Sequence, residues 1–249
     1  MNRPLGTLRL AAVNIDGVLL NDTFSPVIHR IVVGHGTAYT AELEQAILSR
    51  PRLAAARILA EAIGSTASPY EMLDVYFAER ERHVREHPVR PLEGAGALLR
   101  RLGELGLEII CYGGLDRSHF DRYLGAWASC FTEPGYICTN DFRPGIREIV
   151  RDHFGLDYDE ALFIDDAATV ARSARELDVP FIGHPSAFEH GFQRSLMEAA
   201  GVRHLVRGLA AIDEPLLRAI DREAAQGTCW QGAERLGAGV GSGSSRALS

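Results

Sequence analysis

The stretch "ALFIDDAATVARSARELDVPFIG", residues 161–183, decides the fold class. It begins with a short apolar run that ends at Asp165 and Asp166. Apolar residues then recur at helical spacing in "ATVARSARELD", and "VPFIG" is again a short apolar run. A strand, a helix and a second strand in this order indicate a parallel sheet with helices packed on it. Ligands of such sheets bind at the carboxyl ends of the strands, where the two aspartates fall.

The same alternation of strand and helix patterns continues along the chain, except in residues 22–88. Apolar runs at residues 8–17, 107–114 and 135–141 end in turn-forming residues, and helical patterns lie between the later ones. Residues 22–88 instead contain several helical patterns and no convincing strand. The sequence therefore predicts an α/β fold: a Rossmann-like, mostly parallel sheet with helices on both faces, plus an inserted all-helical cap.

These patterns also predict the domain boundaries. The core is expected to comprise residues 1–21 and 89–230, and the cap residues 22–88. Residues 231–249 are rich in glycine and serine without apolar periodicity, which predicts a flexible tail.

Composition narrows the class of protein. With 46% hydrophobic and 24% charged residues, the chain has the composition of an ordinary globular protein. A net charge of −7 argues against nucleic acid or an anionic membrane as a partner, and no protein partner is indicated. No apolar run reaches the roughly 18 residues of a membrane span, and no secretory segment is visible, so a cytoplasmic location is expected. The four cysteines show no CxxC spacing and are expected to be reduced: Cys111, Cys130, Cys138 and Cys229.

Polar residues end two of the predicted strands. Asn14 and Asp16 end the first strand, and Asp165 and Asp166 end another about 150 residues later. Neighbouring strands of a parallel sheet would bring these side chains into one crevice. Clustered carboxylates repel one another unless a cation neutralises them, and oxygen ligands of this kind suit Mg²⁺. We therefore predict that these four residues form a Mg²⁺ site.

Four segments in order resemble the haloacid dehalogenase (HAD) superfamily, among its members with a helical cap after the first motif. They are "NIDGV" at 14–18, "EIICYGG" at 108–114, "DFRPGIREIV" at 141–150 and "FIDDAATVARSARELDVPFIG" at 163–183. The resemblance covers roughly residues 8–205. It implies Mg²⁺-dependent hydrolysis of a small phosphate ester, with the cap choosing the substrate.

The resemblance assigns a role to each position. Asn14 falls at the nucleophile, which is an aspartate in the family's phosphatases, and Asp16 falls at the acid/base. Asp165 and Asp166 fall at the metal-binding pair. The phosphate-binding positions fall on Tyr112, Gly113, Gly114 and Arg143.

Two of the phosphate positions depart from the family pattern. Tyr112 lies where a serine or threonine is expected, with Cys111 and Gly113 as alternatives one residue away, and its ring would fill space that phosphate should occupy. Backbone N–H groups of Gly113 and Gly114 could still form an anion-binding nest. Arg143 replaces a lysine, but all 26 basic residues of this chain are arginine, and a guanidinium still binds phosphate.

The Asn14 departure affects the chemistry itself. A neutral amide is a poor nucleophile, so loss of the aspartate should slow turnover by roughly 10⁴ to 10⁶. It also removes repulsion toward a phosphate dianion, since two unit charges 4 Å apart interact by roughly 4 kcal/mol at an effective dielectric of 20. We therefore predict a degenerate phosphatase site that binds a phosphorylated or anionic small molecule, with Mg²⁺ binding weakened by Asn14.

Two alternatives remain open from the sequence. Asn14 could have been introduced to trap a complex, in which case the natural chain is an active Mg²⁺-dependent phosphatase. Separately, "HVREH" at residues 83–87 matches a pattern of zinc proteases, since His83 and His87 share a helix face. That segment is strongly charged and Pro88 ends it, which favours a solvated helix end over a zinc-dependent hydrolase.

Overall fold

A six-stranded parallel sheet forms the centre of the protein. The computed structural model describes residues 3–231, in which the strand order is β3-β2-β1-β4-β5-β6 and every neighbouring pair is parallel. The strands are β1 Leu10–Asn14, β2 Glu108–Gly113, β3 Tyr136–Cys138, β4 Ala161–Asp165, β5 Phe181–Gly183 and β6 His204–Leu205. The predicted Rossmann-like α/β fold is confirmed. Residues 232–249, most of the predicted tail, lie outside the described residues.

The central strands explain why their sequences are apolar throughout. All five residues of β1 and all five of β4 are buried, because helices cover both faces of a parallel sheet. The edge strand β6 has only two residues, both half-buried, and so has no apolar run by which it could be recognised.

Within residues 3–231, five α-helices surround the sheet outside the insertion. They are α5 Ala95–Glu104, α6 Arg117–Leu124, α7 Ala168–Glu176, α8 Gln193–Ala199 and α9 Glu214–Gln226. One of the helical patterns between the later apolar runs is "PGIREIVRDHFG", residues 144–155, and the structure has a π-helical segment there, Glu148–His153. The short α8 and the longer α9 were not predicted.

Four further helices lie between β1 and β2: α1 Ser25–Gly34, α2 Ala41–Ile47, α3 Arg52–Ala62 and α4 Pro69–Glu86. We refer to residues 22–88 as the helical insertion. Its helices bury an apolar cluster of their own, separate from the cluster around the sheet, with Val27, Leu59 and Met72 among its members. The insertion therefore has its own core, and it lies over the edge of the sheet at which β1 ends.

Candidate functional site

A pocket lies between the carboxyl edge of the sheet and the helical insertion. The register pairs Asn14 with Tyr112, which aligns the end of β1 with that of β2. The pocket contains about 960 Å³ of free space, including the part open to solvent. Five of the residues predicted for the site line it: Asn14, Asp16, Gly114, Arg143 and Asp166.

The side-chain amide of Asn14 links Asp16 to Asp166 at the sheet side of the pocket, which we call its floor. Its Nδ2 donates to Oδ1 of Asp166 at 2.8 Å and to the backbone oxygen of Asp16 at 2.9 Å. Asn14 is 5% exposed, so these hydrogen bonds form away from bulk water. An N–H donor therefore lies between two oxygen atoms that a cation could otherwise bridge.

Asp16 has a partner that the sequence did not reveal. The Nε2 of His119, in α6, lies 2.9 Å from Oδ1 of Asp16. Both side chains are about nine-tenths buried, with exposures of 10% and 9%. The order of residues after "CYGG" gives no sign of this pairing, because it depends on the direction in which α6 leaves the sheet.

A glycine turn brings the end of β1 against Asp166. Gly17 has a φ of +88°, and a Cβ built there would lie 2.0 Å from Oδ2 of Asp166. The backbone oxygen of Gly17 also lies 2.8 Å from Nδ1 of His184, just after β5. Burial lowers the pKa of His184, which favours a neutral ring that donates from Nδ1. Only a residue without a side chain fits between these groups.

Asp165 does not line the pocket. It is fully buried: its Oδ1 accepts from the backbone N–H of Ala167 at 2.7 Å, and its Oδ2 accepts from the hydroxyl of Tyr112. Burial raises the pKa of this carboxyl above its ordinary value. Of the predicted metal ligands, the structure therefore brings Asn14, Asp16 and Asp166 together and places Asp165 beneath them.

Tyr112 differs from the expectation that its ring would occupy phosphate space. The ring is buried and packs edge-on against Phe163 of β4, with the centroids 5.5 Å apart. Neither Tyr112 nor Gly113 lines the pocket. Because the hydroxyl reaches Asp165 instead, the ring leaves the space above the sheet open.

The arrangement does not fit Mg²⁺ as it stands. Metal ions bind oxygen lone pairs, yet Asn14 presents an N–H to Asp166, and Asp165 does not line the pocket. Burial, followed by the neighbouring Asp165, raises the pKa of Asp166 well above its ordinary value. Within residues 3–231, no three His, Cys, Asp or Glu side chains are grouped as a metal site would require.

Among the described residues, three arginines supply positive charge to the pocket: Arg50, Arg52 and Arg143. Arg143 lies against Gly114, where an added Cβ would come within 2.4 Å of the guanidinium, and its buried Nε has no hydrogen-bond partner within the described residues. Arg52, at the start of α3, donates from Nε to the backbone oxygen of Gly114 at 3.0 Å. Sequence reasoning missed Arg50 and Arg52, because arginines are frequent in this chain.

The "HVREH" segment does not have the arrangement of a zinc site. The Nδ1 of His83 lies 3.3 Å from a guanidinium nitrogen of Arg30. A guanidinium is always charged and opposes a second cation at that ring nitrogen. The ring of His87 lies 4.7 Å from that of His83, centroid to centroid, at the end of α4.

Sequence comparisons do not assign this chain: no family model matches it, and no curated protein matches it. Solved structures do match it in fold. One is a HAD hydrolase of family IA, variant 3, from Entamoeba histolytica, with a TM-score of 0.64 and 13% identity over 86% of this chain and 100% of that one. The chain has the fold of HAD hydrolases.

Two further structures extend this likeness. A beta-phosphoglucomutase from Clostridium difficile matches with a TM-score of 0.63 and 11% identity, over 88% of this chain and 99% of that one. A HAD family hydrolase from Deinococcus radiodurans, solved with bound phosphate and sodium, matches with a TM-score of 0.57 and 16% identity, over 86% and 96% of the two chains.

Residues 3–231 contain no helix of the length and apolarity that crossing a membrane requires.

Proposed function

We propose that this chain is a HAD-like protein with a degenerate phosphatase site, which binds a phosphorylated or otherwise anionic small molecule with little or no turnover. One observation carries the proposal: the group at the nucleophile position is the amide of Asn14, and its N–H is engaged by Asp16 and Asp166. A neutral amide that donates to two acceptors cannot supply the oxygen of an aspartyl-phosphate intermediate. The cytoplasmic location and the absence of a nucleic-acid partner stay predictions from sequence.

The positive groups of the pocket support anion binding. The unpartnered Nε of Arg143 leaves a buried guanidinium donor to be satisfied, and a phosphate oxygen satisfies it better than neutral acceptors do. Arg50 and Arg52 line the same space. Because Asn14 is neutral, one fewer carboxylate repels the ligand than at an intact nucleophile position.

Weak Mg²⁺ binding follows from the same contacts. To hold the ion, Asn14 would have to rotate its amide so that Oδ1 faces Asp166. This rotation breaks two buried hydrogen bonds, which cost about 1–3 kcal/mol each to leave unsatisfied. We therefore assign anion binding to the arginines, and the proposed binding does not require a metal ion.

Paired assays of the given chain and its Asn14→Asp variant test this function. We expect the given chain to hydrolyse a panel of phosphate esters at least about 10⁴-fold more slowly than an ordinary phosphatase, with or without Mg²⁺. Asn14→Asp should also stay inactive, because His119 and Tyr112 still engage Asp16 and Asp165. Asn21→Asp is a control that adds the same charge outside the pocket.

The opposite results identify the alternative. Strong Mg²⁺-dependent turnover by Asn14→Asp would favour an active phosphatase whose nucleophile had been replaced to trap a complex. Turnover by the given chain itself would overturn the proposal. Calorimetry with inorganic phosphate adds a readout independent of turnover, and Arg143→Gln should weaken that binding.

A further inference from the structure

The part of the pocket formed by the helical insertion is mostly apolar. All four insertion helices or their flanking residues contribute to its wall, whose apolar members include Phe24, Ile28, Leu59, Met72, Leu73 and Phe77. The charged residues that the insertion contributes are Asp22, Arg50 and Arg52. The hydrogen bond from Arg52 to the backbone oxygen of Gly114 places this arginine at the border with the core. The pocket therefore has an ionic floor and an apolar wall facing it.

The wall contains two buried polar atoms that lack a hydrogen-bond partner within the described residues. The hydroxyl of Tyr76 is buried and has no hydrogen-bond partner within the described residues, although Tyr76 lines the pocket. The Oδ2 of Asp22 is buried and unpartnered in the same way, while its Oδ1 accepts from the backbone of Phe24 and Ser25. A ligand could satisfy these two atoms with one or two polar groups.

The combination of an ionic floor and an apolar wall favours some anionic ligands over others. A sugar phosphate carries several hydroxyl groups, and each one that loses water against an apolar wall without a new partner costs about 1–3 kcal/mol. An aliphatic or aromatic body gains free energy in the same place, because it removes apolar surface from water. The free space beside this wall is about 960 Å³, including the part open to solvent.

We propose, on the basis of the proposed function, that the ligand is an amphipathic monoester: a phosphate group held by Arg143 and Arg52, joined to an aliphatic or aromatic body that packs against α3 and α4. The body carries at most one or two polar groups, for the hydroxyl of Tyr76 and the carboxylate of Asp22. Polyhydroxylated sugar phosphates are excluded by the wall formed by Leu59, Met72 and Phe77.

Calorimetric titration of the full chain with a probe series tests this inference. The probes are inorganic phosphate, butyl, pentyl and hexyl phosphate, glucose 6-phosphate and hexan-1-ol. We expect affinity to rise about three- to fourfold with each methylene of the alkyl phosphates. Glucose 6-phosphate should bind no more tightly than inorganic phosphate. Equal affinities for glucose 6-phosphate and hexyl phosphate would overturn the inference.

A matched pair of variants in α3 locates the binding. Ala55 lines the pocket and is half-buried, whereas Ala54 is half-buried on the same helix and does not line it. Ala55→Phe should abolish the increase in affinity with the length of the alkyl phosphate, and it should leave the affinity for inorganic phosphate unchanged. Ala54→Phe should leave both unchanged, and equal effects of the two variants would overturn the location. Circular dichroism melting establishes that each variant is folded.

Failure of the proposed function would look different. If hexan-1-ol bound as tightly as hexyl phosphate and inorganic phosphate did not bind, the anion site would be overturned, and with it the proposed function. If inorganic phosphate bound but chain length had no effect, only the apolar specificity would be overturned.

Discussion

Gly17 shows how a single residue can determine the geometry of the site. Its φ of +88° already disfavours any side chain, and the space for a Cβ is occupied by the carboxylate of Asp166. Gly36 has a similar φ, +74°, but nothing lies within 4 Å of the position its Cβ would take. A comparison of substitutions at the two glycines therefore distinguishes the cost of backbone strain, present at both, from the cost of a steric clash, present only at Gly17.

We expect Gly17→Ala to destabilise the protein more than Gly36→Ala. Backbone strain costs about 1–3 kcal/mol at either position, and the contact with Asp166 adds about 1–3 kcal/mol at Gly17 alone. Urea unfolding of both variants gives the two losses. Equal losses would show that the Asp166 side chain moves away without cost.

Asn14, Asp16 and Asp166 could be placed together from sequence because the ends of β1 and β4 are neighbours in a parallel sheet. Asp165 was grouped with them for the same reason, yet its carboxylate lies under the strand ends. Asp165 is the last residue of β4 and Asp166 follows the strand, and the carboxylate of Asp165 accepts from the buried hydroxyl of Tyr112. Predicting this separation would have required knowing that Tyr112 supplies that hydroxyl.

At the scale of elements, strands and helices with strong periodicity could be predicted, and contacts between distant elements could not. The pattern of "AELEQAILSR" predicted a helix, and α2 covers Ala41–Ile47. The same pattern gives no indication that Glu44 is fully buried. A glutamate on a helix is ordinarily solvated, and only its tertiary contacts explain this exception.

Glu44 fastens the helical insertion to the core. Its carboxylate accepts from the backbone N–H of Phe192 at 2.9 Å and from Nε2 of Gln193 at 2.5 Å, at the beginning of α8. Gln193 in turn accepts from the backbone N–H of Ala168, at the beginning of α7. The contacts link α2 to two core helices in series, and a carboxylate is favourable at a helix N-terminus.

Glu44→Ala should loosen this attachment. Removing the carboxylate leaves buried donors on Phe192 and Gln193 without a partner, so we expect a loss of about 1.5–3 kcal/mol in the free energy of unfolding. Hydrogen exchange should also accelerate at Phe192. Glu42→Ala, an exposed glutamate on the same helix, is the control and should cost about 0.5 kcal/mol or less. Similar losses from both variants would contradict the assigned attachment.

At the scale of the whole molecule, an aspartate near one end of the described chain binds the segment near its other end. Asp221 of α9 accepts three backbone N–H groups from the segment before β1: Gly6 at 2.9 Å, Thr7 at 2.9 Å and Leu8 at 2.8 Å. More than 200 residues separate these partners in sequence. No local pattern predicts the contact, because it exists only once the sheet and α9 have assembled.

The pKa of Asp221 makes this contact between α9 and the segment before β1 dependent on pH. Burial acts to raise the pKa, but the three N–H donors outweigh it and hold the pKa below the ordinary value of an aspartate. A depressed pKa means that the unfolded chain binds more protons than the folded one in this range. The stabilisation by Asp221 is therefore complete above about pH 4 and is lost as the pH falls through the lower folded value.

Asp221→Asn tests that dependence. The amide oxygen can accept only as a neutral group, so we expect the variant to lose about 1.5–3 kcal/mol in the free energy of unfolding at pH 7. The difference from the unchanged chain should shrink as the pH is lowered below 4, because protonation then removes the charge from Asp221 as well. Asp74→Asn, at an exposed position of α4, should show almost no difference at either pH. Urea unfolding of the three proteins between pH 7 and pH 3 measures this, and a difference independent of pH would show that the charge of Asp221 contributes nothing to that contact.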